Sequence, residues 1–145
     1  MATIIVGPTV WQYEDKFGEA AAVQIASLGD EVAGGYLICR NGGTAWLVAP
    51  SSSEVTRVWN SRNDANTTAQ SITGKTGWFV PTLSQLQNPG YIRRTYWDSY
   101  TAASYWSGTE TAFQDAGGVS FINGAFVSCN KGFNFPVRSF RTVTY

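Results

Sequence analysis

The sequence contains no histidine, and charged residues make up only 14% of it. Ordinary soluble domains carry about 25% charged residues. Histidine is the most frequent general base in enzymes and a common metal ligand. Its absence excludes Ser-His-Asp and Cys-His catalytic arrangements and histidine-based zinc sites. The composition therefore favours a protein that is not an enzyme, and it predicts neither a bound metal nor another cofactor.

Neither sign of charge is in excess, because ten Lys and Arg balance ten Asp and Glu. No stripe of basic residues stands apart from acidic neighbours, which argues against binding to nucleic acid. A chain with few charges and no net charge repels copies of itself only weakly. Two interpretations remain open at this point. One is a secreted or structural β-rich domain, and the other is a chain whose surface is largely buried in an assembly.

Cysteine is also scarce. Cys39 and Cys129 lie far apart and form no CxxC or metal-binding spacing. Both stand in strand-like contexts, which favours small buried thiols and leaves a disulfide as the alternative. The apolar run before Gly7-Pro8 is short and follows no basic residues. It predicts neither a signal peptide nor membrane insertion.

The length of 145 residues suits one domain with a single core. Two stretches predict strands: residues 3–6, and a hairpin of residues 36–39 and 45–48 around Asn41-Gly42-Gly43. Apolar spacing predicts a helix over 14–28 that ends at Gly29, and a second helix over 53–71 that begins with a Ser51–Glu54 capping box.

The second half predicts mostly strands. Residues 78–82 are extended, and Thr82 caps a short helix before Asn88-Pro89-Gly90. Four strand-like runs follow: 104–110, 117–123, 124–130 and 136–143, with a tight hairpin at Asn123-Gly124. Strands, then helices, then a closing meander indicate an α+β fold with two helices packed on a small, mostly antiparallel sheet.

Short motifs for catalysis or metal binding are weak. Residues 74–77 contain Gly-Lys-Thr, but Ala69 stands where a phosphate-binding loop begins with glycine. Residues 63–66 lack the alternating carboxylates and the closing glutamate of a calcium loop. Acidic pairs such as Asp98 and Glu110 occur in any chain with ten acids, so they give little support to a glycosidase-like site.

Aromatic residues are concentrated between positions 91 and 106. Aromatic rings beside Arg, Asp and Ser provide contact area with polar tips, as recognition surfaces require. We assign Tyr105 and Trp106 to the core. The candidate binding residues are those of the preceding loop: Arg93, Arg94, Tyr96, Trp97, Asp98 and Tyr100. Core packing is the alternative for the aromatic ones.

Three short motifs in the sequence are similar to those of a known protein family. They comprise Gly77, Trp78, Pro81 and Thr82; then Tyr105, Trp106, Ser107, Thr109 and Glu110; then Val137, Arg138 and Arg141. In this order, residues 34–143 resemble the Lcl-type C-terminal domain family of collagen-like bacterial adhesins. That family resembles C-type lectins and has relatives among phage tail and receptor-binding proteins. Phe79-Val80, Gly108 and Phe140 depart from the usual pattern.

The resemblance implies a C-type-lectin-like domain over 34–145, preceded by an N-terminal extension over 1–33 as a candidate docking segment. The calcium motifs of C-type lectins are missing, so calcium-dependent sugar binding is not implied. Trp78 and Trp106 are expected between helix and sheet, while Pro81 and Thr82 start the short helix. We expect a buried Glu110, paired with Arg138 or with backbone N–H groups, so that Glu110→Ala destabilises the fold.

Three functions follow as hypotheses. The first is a non-enzymatic phage virion protein, a head decoration or a tail or fibre component. It would contact other virion proteins, copies of itself, or a glycan or protein on the host surface, and it would be located in the virion. The second is a bacterial cell-surface lectin or adhesin domain that binds glycans. The third is an enzyme of the formylglycine-generating type. It would require a reactive cysteine pair or a metal site, and two distant cysteines without any histidine argue against it.

Overall fold

A computed structural model describes residues 9–145. Its fold is α+β, with antiparallel strand pairing throughout the described residues. The strands are β1 (Glu31–Val32), β2 (Gly35–Asn41), β3 (Thr44–Val48), β4 (Val55–Arg57), β5 (Ser104–Glu110), β6 (Asp115–Ser120), β7 (Phe126–Asn130), β8 (Phe135–Val137) and β9 (Phe140–Thr144). The helices are α1 (Val10–Phe17), α2 (Glu19–Ile25), α3 (Asp64–Thr73) and α4 (Leu83–Gln85).

Among residues 9–145 the strands form three sheets, where the sequence predicted a single small one. The first sheet has the order β1-β2-β3-β9, and the second pairs β4 with β8. The predicted hairpin is confirmed: β2 and β3 pair from Tyr36↔Val48 to Asn41↔Thr44. Gly42 and Gly43 have φ of +58° and +81°, values that glycine adopts without strain. This sheet therefore joins the first three strands of the described residues to the last one.

The predicted helix over 14–28 is instead two helices. Gly18, with φ of +89°, separates α1 from α2, and α2 ends at Ile25. Gly29 is therefore not a helix cap; its N–H donates to the carbonyl of Leu37 as the chain turns into the sheet. α2 buries Ala22 and Val23 in a cluster with residues of β2 and β3. Part of the N-terminal extension thus belongs to the core, and the predicted strand over 3–6 lies outside the described residues.

The predicted helix over 53–71 is correct only in its second half. Residues 51–53 form one helical turn, β4 pairs with β8, and α3 begins at Asp64. Its C-cap Gly74 has φ of +70°, as a left-handed cap requires. β-Branched residues around Thr56 favour the strand locally. Glu54 makes no capping box because its carboxylate is bound elsewhere, beside Arg138.

The third sheet has the order β5-β6-β7. Tyr105 and Trp106 are buried, as predicted, and as successive strand residues they belong to different clusters. The hairpin predicted at Asn123-Gly124 is confirmed, since β6 pairs with β7, but its turn is longer than the tight turn expected. Ser120 and Ala125 are hydrogen-bonded and enclose a four-residue loop, in which the N–H of Gly124 donates to the carbonyl of Ser120.

The short helix α4 begins as predicted. The hydroxyl of Thr82 accepts from the N–H of Gln85, whose side chain accepts in return from the N–H of Thr82. Pro81 precedes this capping box and is buried. Trp78 packs with Ala49 and with Ala69 of α3, between helix and sheet, as expected.

Both cysteines are free thiols. Cys39 lies in β2 and Cys129 in β7, which belong to different sheets. The disulfide alternative is therefore wrong, and each residue is partly rather than fully buried.

Candidate binding surface

The segment over residues 91–103, called the aromatic loop below, joins the α4 region to β5 and carries the predicted binding residues. Three of its rings pack around Phe121 of the β6–β7 loop. The ring centroids of Tyr91, Trp97 and Tyr100 lie 5.3, 5.0 and 5.6 Å from that of Phe121. The aromatic loop is thus closed against a second loop by edge-on and tilted ring contacts, the arrangements that aromatic pairs prefer.

Trp97 is the interior anchor of this loop. Its exposed fraction is 5%, which corrects the expectation that it lies on the surface. Its ring also contacts Tyr105 and Phe140, at centroid distances of 5.7 and 5.9 Å. Trp97 can therefore hold the loop in place, but its ring is not available to a partner.

Arg138 lies beneath the loop, with a side chain only 1% exposed. Its guanidinium nitrogens lie 3.1 Å from a Glu54 oxygen and 3.2 Å from an Asp98 oxygen. They also donate to the carbonyls of Ala49 and Ser99, at 3.0 and 2.8 Å. A buried charge requires this degree of pairing and hydrogen bonding. Arg138 thereby joins the segment before β4 to the aromatic loop.

Tyr105 completes the same network from β5. Its hydroxyl donates to Glu54 and accepts from the N–H of Thr101 at 2.8 Å. The hydroxyl of Thr101 donates to Glu54 at 2.6 Å. Burial, together with the hydrogen bond to Glu54, raises the pKa of Tyr105 to about 12, so the phenol stays protonated and can donate. Arg138, Glu54, Asp98 and Tyr105 are called the Arg138 network below.

Asp98 therefore serves the network rather than an open surface. Asp98 is exposed as a whole residue, but its side chain is only 19% exposed and accepts from the N–H of Ser51 at 2.7 Å. Burial opposes ionisation of this carboxyl. Hydrogen bonds from Ser51 and Ser99 and the charge of Arg138 outweigh that effect and lower the pKa of Asp98. The carboxylate of Asp98 thus stays charged within the Arg138 network, which supports the aromatic loop.

The outward side of the aromatic loop combines aromatic, apolar and basic groups. Tyr100 and Ile92 are exposed, whereas Arg93 and Tyr96 are partly buried. The guanidinium of Arg94 lies 4.0 Å from the ring centroid of Tyr91, and one of its nitrogens donates to the carbonyl of Tyr91. This stacking fixes the orientation of the cation.

Sequence reasoning missed the contribution of the β6–β7 loop. Phe121 underlies the aromatic loop, and the next residue, Ile122, is exposed. Gly124 is needed there, since a Cβ would lie 2.3 Å from the ring of Tyr91. The only available signal was the Asn123-Gly124 turn, which located a loop but not its neighbour. We call the outward surface of the aromatic loop with Ile122 the candidate binding surface.

Glu110 is not part of the Arg138 network, which corrects the expectation of a buried carboxylate. Its side chain is 56% exposed and lies 2.5 Å from the ammonium of Lys131. Glu110 is the last residue of β5, where the chain leaves the sheet. Arg138 pairs instead with Glu54 and Asp98, which lie 84 and 40 residues away in sequence, and no local pattern predicts either pairing.

No family model matches this chain, and no curated protein matches it. Among residues 9–145 there is no cluster of three or more His, Cys, Asp or Glu side chains that could hold a metal ion. Within the same residues, none of the helices is long and apolar enough to span a membrane.

Proposed function

We propose that this chain is a non-enzymatic binding protein of a phage virion, a head decoration or a tail or fibre component. Its candidate binding surface would contact another virion protein or the host surface. The C-type-lectin-like nature of the domain is part of this proposal, and it rests on the motif resemblance of residues 34–143.

The observation that carries the binding role is the preorganised aromatic loop. Its ordering is supported from within by the burial of Trp97 and by the Arg138 network. A loop that is already ordered loses little conformational entropy when a partner binds. Tyr100 and the stacked Arg94 then offer rigid side chains of the types enriched in binding hot spots.

The binding role is tested by Tyr100→Ala and Arg94→Ala, each compared with wild type on purified virions lacking this protein. We expect each variant to rebind at least about tenfold more weakly while its melting temperature stays close to that of wild type. Ile72→Ala is the matched control, because Ile72 is a similarly exposed apolar residue of α3. Equal rebinding by all of these variants would overturn the role of this surface in contacts with the virion.

The virion setting is tested separately by immunogold electron microscopy of particles from a culture that produces the protein. We expect labels at a regular position on the head or the tail. Label confined to cell envelopes would overturn the setting and would favour a bacterial surface protein.

A glycan-binding adhesin is the alternative, because the exposed ring of Tyr100, in the same loop as Arg94, would also suit stacking on a sugar. A glycan array distinguishes the two. Binding to defined sugars that is lost in Tyr100→Ala would favour the adhesin, and an array without signal would favour protein contacts.

A further inference from the structure

β7 is an edge strand of the third sheet. Among residues 9–145, it pairs with β6 on one side and with no strand on the other. The carbonyl of Ala125 and the N–H of Lys131 point towards β6, since they bond to Ser120 and Gln114. Backbone groups alternate along an antiparallel strand. The N–H and C=O groups of Phe126 and Ser128 therefore point outward, away from β6.

At Phe126 and Ser128 nothing in β7 protects this edge against pairing, whereas the outward carbonyl of Asn130 already accepts from the N–H of Phe133. Natural edge strands commonly carry lysine, proline or a bulge that prevents association. The sequence of β7 is Phe-Val-Ser-Cys-Asn, without charge or proline, and its register with β6 is regular throughout. The nearest charge, on Lys131, is already paired with Glu110.

Exposed phenylalanines are concentrated at the same edge. Of the four exposed phenylalanines among the described residues, two lie at this edge. Phe126 begins the strand and is 59% exposed; Phe133 follows its end and is 57% exposed. The N–H of Phe133 donates to the outward carbonyl of Asn130, which places Phe133 on the open side. A third exposed phenylalanine, Phe113, lies in the β5–β6 loop, where its carbonyl accepts from the ammonium of Lys131.

We propose that β7 is a self-association edge, which pairs antiparallel with β7 of a second copy about a two-fold axis at Ser128. Ser128 then faces its symmetry mate, and Phe126 faces Asn130 of the other copy. The axis brings Phe126 of each copy to the end of the strand where Phe133 of the other lies. The strand is thus self-complementary: each copy supplies a phenylalanine at both ends and open backbone groups between them.

The electrostatics allow a second copy as the occupant. The chain has a formal net charge of zero, and β7 adds no charge at the contact. Two copies therefore meet without the repulsion that keeps most soluble proteins apart. Because the edge is short, the contact buries less surface than a standard stable interface does. We therefore expect a weak dimer, which forms as the protein concentration rises through roughly the micromolar range. This inference does not depend on the proposed function, which uses a different surface.

The first experiment measures the molecular mass of the full chain by sedimentation over a range of concentrations. Wild type should shift from monomer to dimer. Ser128→Pro removes the outward N–H, while the bonds of β7 to β6 use other residues. Its dimer should weaken at least about tenfold, since the lost bond recurs in both copies. Ser128→Ala is the matched control, because it removes the same hydroxyl contact with Thr111 but keeps the N–H and should still dimerise.

A second pair of variants tests the apolar contact. Phe126→Lys should weaken the dimer about 100-fold or more, because it removes apolar contact and adds a charge in both copies. Ile72→Lys adds the same charge on α3 and should leave the dimer intact. A wild type that stays monomeric at all concentrations, or a dimer that persists in Ser128→Pro and Phe126→Lys, would overturn the proposal.

The register is tested by cross-linking. Under the two-fold axis Val127 faces Cys129 of the other copy in a pair without backbone hydrogen bonds, a separation suited to a disulfide. Val127→Cys should give a covalent dimer on a non-reducing gel, and adding Cys129→Ser should abolish it. Covalent dimers that persist in the double variant would contradict this register. A dimer that survives Phe126→Lys but is lost on deleting residues 2–8 would assign the contact to that segment and overturn the proposal.

Discussion

The Arg138 network and the Lys131–Glu110 pair lie near opposite ends of β5, and they contrast sharply in burial. Arg138 is 1% exposed and meets two carboxylates and two carbonyls. Glu110 is 56% exposed and has one ionic partner. Charged pairs in water contribute little, whereas an interior charge left without partners is costly. The comparison teaches that β5 changes from an interior strand to a surface strand within seven residues, and that only its first half supports the aromatic loop.

Removing the buried cation should have the largest effect. Arg138→Leu leaves Glu54 and Asp98 without their main cationic partner, and we expect the free energy of unfolding to fall by about 3 kcal/mol or more. Chemical denaturation measures this. Arg57→Leu is the control, since Arg57 forms an exposed pair with Asp64 and should cost less than about 1 kcal/mol. Similar losses in both variants would remove the distinction between interior and surface pairs.

The hydroxyl of Tyr105 should come next. Tyr105→Phe leaves the N–H of Thr101 without its acceptor and removes one donor to Glu54. We expect a loss of about 1–3 kcal/mol in unfolding free energy. Hydrogen exchange should be faster at the amide of Thr101. Tyr100→Phe, which changes an exposed tyrosine of the same loop, should leave both measurements almost unchanged. Wild-type exchange at Thr101 in Tyr105→Phe would show that this bond does not order the loop.

Low pH should weaken the Arg138 network by protonating Asp98, and the variant Asp98→Asn tests this. The pKa of Asp98 is lowered below its ordinary value of 3.8 in the folded protein. Its contribution to stability is therefore complete above that value and is lost as the pH falls through the lower folded pKa. Unfolding measured between pH 6 and pH 2 should show a smaller acid-induced loss in Asp98→Asn. Part of the acid-induced loss of stability should remain in this variant, because the hydrogen bond from Arg141 also lowers the pKa of Glu19. An unchanged acid profile would refute the role of Asp98.

The exposed pair should give the smallest effect. Glu110→Ala removes only a solvent-exposed partner of Lys131, so the free energy of unfolding should change by less than about 1 kcal/mol. This reverses the expectation from the sequence. A loss as large as that of Arg138→Leu would show that Glu110 supports the fold despite its exposure.

Local signals predicted local structure well. The glycines at 42 and 43 marked the β2–β3 hairpin, and Thr82 with Gln85 forms a capping box that a few residues determine. The predicted helix over 53–71 is wrong in its first half because that part contains β4. This strand pairs with β8, which lies about 80 residues later. Apolar spacing cannot report a partner strand at that distance.

The position of the aromatic loop could be predicted from the sequence, but not which of its side chains are exposed. A cluster of aromatic residues located the aromatic loop, yet composition could not separate Trp97, which is buried, from Tyr100, which is exposed. The distinction arises from the β6–β7 loop, whose Phe121 contacts both rings. Likewise, Asp98 looked like a surface acid until its position over Arg138 was known.

The sequence by itself determined the α+β class, the hairpin, the helix start at Thr82 and the buried pair Tyr105-Trp106. Each of these depends on neighbours within a few positions or on the alternation of a strand. Only the tertiary structure decided that Glu54 and Asp98 share Arg138, that Glu110 lies at the surface, and that β7 has an open edge. Those facts depend on contacts between distant segments, where burial and available partners determine what a charged group or a strand edge contributes.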